Sequence, residues 1–200
     1  MTFFPENKIF LGQCQLSNVN QYISWSNRLS HIVASEIVSC QKVTDRVEMI
    51  EFFMDAALIC CRLGNFNSCV SLTAGLSLPV IQRLTKTWAR IEDTKLRVLQ
   101  HICDPVSNFR NYRVILKMFE SENTTPVLVP MFAVFLKDCF FRLKPCVDSE
   151  NANTDRQLQV RVKKDQNFLK LFFTVDIVYF IFLVLGRPGS SYRRFFNLEE

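Results

Sequence analysis

Glycine is scarce in this sequence, at 5 in 200 residues, and the 7 prolines are scattered. A β-sandwich or a glycine-rich nucleotide-binding fold needs more turn glycines than that. Only 2 histidines stand beside 8 cysteines, and no two cysteines have C-x-x-C spacing. The usual zinc spacings are therefore missing, and no metal site is expected. Cys60 and Cys61 are adjacent and would project in different directions from a helix. The cysteines read as small buried hydrophobes of a reducing compartment. The start, MTFFPENKIFLG, lacks the basic opening and long apolar run of a signal peptide. Both features point to a cytoplasmic protein. Basic residues outnumber acidic ones by 24 to 19, for a net charge of +5, but form no long block. Nucleic acid is not the expected partner.

Catalytic signatures are missing too. There is no Walker A loop, no G-x-G-x-x-G, no H-E-x-x-H and no G-x-S-x-G. His31 sits beside Ile32 and Val33 in an apolar helix and reads as a packed or surface residue. His101 and Cys103 are two apart on a helix, so they do not face each other. Glu48, Glu51 and Asp55 share a helix face, but with no histidine or metal partner they read as a solvated stripe. An enzyme making and breaking covalent bonds is not expected, and neither is a cofactor.

What is present is apolar and bulky. Hydrophobic residues make up 48% of the chain, charged residues 22%, and there are 19 phenylalanines. That composition suits one all-α domain with a sizeable core. Apolar residues near helical spacing predict a helix over 18–39, capped by Asn18. The clearest helix is 44–63, with Asp45 and Glu48 as a capping arrangement and Gly64 as its left-handed stop. Nearly everything from Ile50 to Leu63 is apolar, so this helix is expected in the middle of the domain. Helices follow at 66–76, started by Asn65 or Asn67, and at 80–90, with Pro79 in its first turn. Others are expected at 94–102, 108–120 and 130–143, the last ending before Pro145, with a break at Thr124, Thr125 and Pro126. Residues 146–157 form a polar loop. Alternation over 158–162 hints at a short strand, and 168–185 is strongly apolar. Lys170 and Asp176 interrupt that run, which favours a buried helix over a membrane span.

One series of segments carries a resemblance. It runs WSNRLSHIVASEIV (25–38), DRVEMIEFFMDAALICCRLGNFNS (45–68), AGLSLPVIQRLTKTWARI (74–91), DPVSNFRNYR (104–113) and VPMFAVFLKDCFF (129–141). In order and spacing these resemble the catalytic domain of Ras-type guanine-nucleotide exchange factors. They are similar in particular to the RasGEF-domain-containing family 1 proteins. The Asn-Phe-Asn-Ser turn at 65–68, followed by Arg83 and Trp88, is the most specific element.

The resemblance implies an α-helical bowl from which a helical hairpin protrudes to open the nucleotide site of a Ras-family small GTPase, of Rap or Ras type. It implies no covalent chemistry, a monomer, and contact with membranes only peripherally through the GTPase. It places Phe140 and Lys144 at the hairpin wedge, and Ser77, Asn108, Lys137 and Phe141 at the GTPase-binding surface. Asn65, Asn67, Arg83 and Trp88 are expected to be structural, as turn, cap and scaffold residues. Two positions depart from the family pattern. Lys144 stands where an acidic residue is usual, and Ser77 where asparagine is usual. The domain would occupy 18–171, after an irregular lead-in at 1–17 and before a divergent apolar segment at 172–200. It would lack a helical segment at its front, and its second hairpin arm would survive only as QNFLK (166–170). The alternative is a catalytically impaired GTPase-binding module or truncated remnant.

Overall fold

A helix rich in small and hydroxyl-bearing residues lies at the centre of this protein. The computed structural model describes residues 17–121 and 128–147. Eight helices cover most of them: α1 (Ser17–Ser39), α2 (Val43–Arg62), α3 (Phe66–Leu76), α4 (Pro79–Gln82), α5 (Thr85–Trp88), α6 (Thr94–Ile102), α7 (Val106–Ser121) and α8 (Phe132–Val147). Every residue of α3 except Ala74 is buried. α1 and α2 pack on it most extensively, with α6 beside α2 and α3. The domain is all-α among the described residues. The expectations for 148–200, including the strand at 158–162, the apolar run at 168–185 and the remnant arm at 166–170, lie outside them. So do most of the lead-in and the break at 124–126.

The expectation that 44–63 would be the central helix needs correcting. One face of α2 buries Ile50, Phe53, Met54, Ala57 and Cys60, while Glu48, Glu51, Asp55, Ile59 and Arg62 form an exposed stripe. α3 takes the centre because its small side chains let neighbouring backbones approach. A Cβ added at Gly75 would lie 2.7 Å from both the Ser30 carbonyl oxygen and Val33 Cβ on α1. The polar groups of α3 stay satisfied while buried. Thr73 Oγ1 donates to the Cys69 carbonyl at 2.8 Å, and Ser30 of α1 donates to the Ser71 carbonyl at 2.8 Å. The core around α3 joins Leu29, Val33 and Ile37 of α1 to Phe53 and Met54 of α2 and Leu99 of α6. Each such side chain, fully buried, contributes about 1.5–3 kcal/mol.

Thiols also meet in this core. Cys69 of α3 hydrogen-bonds with Cys61 of α2 and with Cys103 just after α6. Those bonds and its burial push the Cys69 thiol well above its ordinary range, whereas the bond with Cys69 pulls Cys61 below it. All three are free cysteines.

Helix ends follow local chemistry, with four departures from expectation. Gly64 has φ 77°, and the amides of Gly64 and Asn65 donate to the Cys61 and Cys60 carbonyls, which is the Schellman stop anticipated for α2. At the other end of α2 the capping pair does not form. Lys42 holds the cap position, and Asp45 instead accepts from the Thr44 hydroxyl at 3.0 Å. Asn18 lies inside the first turn of α1 rather than at its cap. The helix expected at 80–90 is broken into α4 and α5. In a continuous helix the Ile81 carbonyl would accept from Thr85. Here it accepts from the Leu84 amide at 3.0 Å and the Trp88 indole at 2.9 Å, and Thr85 turns to Arg83. Finally, α8 runs past the expected stop and carries Pro145 in its last turns. Proline there removes one helix hydrogen bond and crowds the preceding turn, so it is an unfavourable helix residue at that point.

Candidate functional site

The resemblance drew attention to the helix at 130–143, so what holds α8 in place decides how the site is built. The strap before it, Leu128–Met131, is knitted to the α2–α3 turn. Val129 N–H donates to the Gly64 carbonyl at 3.0 Å, and Phe66 N–H donates to the Val129 carbonyl at 2.9 Å. The first amides of a helix have no partner within it. Here Phe132 N–H donates to Asn67 Oδ1 at 3.2 Å, and Met131 N–H donates to the Tyr112 hydroxyl at 3.0 Å. The Asn67 amide reaches α1 at the same time, donating to Ser26 Oγ at 3.2 Å. One buried side chain on α3 thus ties α1 to the start of α8. Around these bonds Phe132 is fully buried against Tyr22, with ring centroids 4.3 Å apart.

Asn65 does the capping of α3. Its Oδ1 accepts from Ser68 N–H and its Nδ2 donates to Ser68 Oγ, each at 3.0 Å. Of the two asparagines offered as cap, only Asn65 serves, and Asn67 spends its side chain on long-range bonds. Both are buried, which accounts for their place in one short turn.

The DPVSNFRNYR segment builds the second support. Ser107, Asn108 and Phe109 all have left-handed backbone angles, with φ of 53°, 59° and 59°. Such angles cost about 1–2 kcal/mol for each ordinary residue, less for asparagine. Surrounding bonds hold the turn. Asp104 Oδ1 accepts from Val106 N–H at 2.9 Å, and Asn111 donates to the His101 carbonyl at 3.0 Å. Arg113 Nε donates to the Asn108 carbonyl at 2.8 Å. Strain of this kind persists where neighbours over-determine the conformation, and it collects at functional sites.

Arg113 also reaches forward to α8. Its two terminal nitrogens meet the two oxygens of Asp138 at 2.7 and 2.8 Å. The pair is about one-third exposed, so its net worth is about 1 kcal/mol rather than that of a buried pair. The Asp138 carboxylate raises the Arg113 pKa further above its ordinary value. Beside it, Lys137 Nζ donates to Asn108 Oδ1 at 3.0 Å.

Four surface positions were expected from the resemblance, and the structure pairs two of them. Asn108 and Lys137, 29 residues apart in sequence, are hydrogen-bonded to each other and both exposed. Phe141, one turn further along α8, is 59% exposed, which is high for so large an apolar side chain. Ser77 stands apart. It is exposed at the C-terminal end of α3 and donates to the Thr73 carbonyl at 2.9 Å. The α8 strap crosses the opposite end of α3, roughly 18 Å away at 1.5 Å per residue. Phe140 and Lys144 lie on α8, and their side chains are outside the described residues. Arg83 is exposed and bonds the Pro79 carbonyl at 3.2 Å, and the Trp88 indole locks the α4–α5 break. Arg113, Tyr112 and Asp138 were not singled out from sequence. They fall in the N-Y-R and K-D stretches of the segments quoted above, but nothing in those stretches shows that they meet.

Among the described residues no group of histidine, cysteine or carboxylate side chains is arranged to hold a metal, and no helix is long and apolar enough to cross a membrane. The RasGEF domain, as a family, matches residues 6–171. The chain belongs to the RasGEF family. Mouse Ras-GEF domain-containing family member 1B is 38% identical over 137 residues, covering 66% of this chain and 29% of the relative. Zebrafish family member 1B-A is 36% identical over 149 residues, covering 72% and 29%. Mouse family member 1C is 36% identical over 138 residues, covering 66% and 30%. The chain therefore spans under a third of the length of these relatives. The all-α fold and the order of the motif segments are those expected of a RasGEF domain.

Proposed function

We propose that this chain binds a Ras-family small GTPase, of Rap or Ras type, and accelerates release of its guanine nucleotide. The observation that carries the reading is membership of the RasGEF family over residues 6–171. The build of α8 supports it. Its start is bonded to α3 and α7, with Phe132 and Val134 buried, while Lys137 and Phe141 further along are exposed. A helix fixed at its root and open beyond suits insertion into a partner.

The mechanism is competition between two ligands of the GTPase. In this reading Phe140 and Lys144 of α8 are the wedge positions, Phe141, Lys137 and Asn108 bind the GTPase, and Ser77 makes a separate contact. Occupation of the nucleotide site by the wedge weakens nucleotide binding. By linkage, nucleotide weakens binding of this chain by the same factor. No bond is made or broken, so no nucleophile, base or cofactor takes part. The chain acts as an exchange factor in the cytoplasm and meets membranes only through the GTPase.

A second reading rests on Lys144. A cation at the wedge cannot imitate phosphate toward the phosphate-binding loop, so the chain would dock without releasing nucleotide. Release of a fluorescent GDP analogue from Rap and Ras proteins separates the two. Acceleration supports exchange, and binding without acceleration supports docking alone.

A further inference from the structure

We infer that Arg113 is a positioning residue that sets the angle at which α8 leaves the core. The inference rests on the proposed function, since it concerns the helix that would enter the GTPase. Arg113 uses its guanidinium in two directions. Nε holds the carbonyl of Asn108, in the middle of three left-handed residues, and the terminal nitrogens hold both oxygens of Asp138. Lys137 adds a second bond from α8 to the same turn, through the Asn108 side chain. The planar guanidinium fork matches a carboxylate in one orientation only, so it fixes direction as well as distance.

Leverage makes this matter. The root of α8 is fixed at Met131 and Phe132 by Tyr112 and Asn67. A helix held at one point can still swing about it, and a second hold six residues on prevents that. From Asp138 to the end of α8 at Val147 is roughly 14 Å at 1.5 Å per residue. A rotation of about 10° there moves the tip by roughly 2 Å, enough to misplace a wedge. The left-handed turn serves the same end. It brings the Asn108 carbonyl and side chain to one place, where Arg113 and Lys137 can both reach them.

The test uses the full 200-residue chain with Asp138→Asn, Arg113→Lys and Arg113→Met. Backbone hydrogen exchange is read separately for 139–147 and for α3, and maximal GDP release is read separately from affinity. Loss of this partly exposed bidentate bond should speed exchange over 139–147 about fivefold while leaving α3 unchanged. Where the wild-type chain is active, maximal release should fall about fivefold with little change in the half-saturating concentration. Arg113→Lys should recover little of either, because an ammonium cannot make the fork. Unchanged exchange over 139–147, or a uniform rise in every helix, would overturn the inference. A wild-type chain inert toward every GTPase would sink the proposed function instead, and the hydrogen-exchange comparison would still decide what Arg113 does.

Discussion

Replacing Asn67 by alanine tests how the fold roots α8. The substitution removes at least two hydrogen bonds, one to Ser26 Oγ and one from Phe132 N–H, each 3.2 Å long. Neutral bonds contribute about 1 kcal/mol each, and a buried partner left unsatisfied adds about 1–3 kcal/mol. Phe132 is fully buried, so its amide has no ready access to water. The total comes to about 3 kcal/mol, or roughly 6–12 °C in melting temperature for a domain of this size. Ser26→Ala removes only the bond to α1 and should cost about 1–2 kcal/mol. The difference between the two variants isolates the tie to α8, and the double variant shows how far they couple. Urea unfolding followed by circular dichroism gives the energies, and hydrogen exchange at the start of α8 gives the location. Ser77→Ala, at an exposed site, should stay within about 0.5 kcal/mol. A loss below about 1 kcal/mol for Asn67→Ala would refute the claim that this side chain anchors α8.

Gly75→Ala should destabilise the fold by about 1–3 kcal/mol or prevent folding, because a backbone oxygen lies where the new carbon would go. Urea unfolding checks this, and an unchanged midpoint would mean that α1 and α3 are not in close contact. Trp88→Phe keeps a ring but loses the indole bond to the Ile81 carbonyl, so it should cost about 1 kcal/mol by the same measurement. The ion pair at Arg113 should hold steady across physiological pH. A raised folded pKa gives stabilisation that is present at lower pH and lost only as pH rises through that strongly alkaline value. Protection of 139–147 at pH 6 and pH 9, corrected for intrinsic exchange, should therefore agree.

Much of the fold could be read from the sequence, because apolar spacing and glycine punctuation act locally. α3 and α6 fall on their expected residues, and Gly64 ends α2 as a left-handed stop. The errors came where tertiary bonds outweighed local pattern. Trp88 took the Ile81 carbonyl and split one expected helix into two. α3 took the centre despite its hydroxyls, since its small side chains let α1 come close and its Thr73 hydroxyl bonds a backbone carbonyl. The candidate site was legible only through the resemblance. No periodicity singles out Asn108 or Lys137, and nothing in a chain of letters shows that they meet. Arg113 and Asp138 escaped for the same reason, since a pair 25 residues apart has no local signature. The left-handed turn at 107–109 was hidden more deeply, because only Asn108 among its residues favours such angles.

Release of a fluorescent GDP analogue from purified Rap and Ras proteins, with wild-type chain and with Lys144→Glu, tests the central claim most directly. The account predicts that the wild-type chain accelerates release from at least one of these GTPases, and that Lys144→Glu accelerates it further. No acceleration by either chain, from any GTPase of the set and with the helical fold intact by circular dichroism, would contradict it.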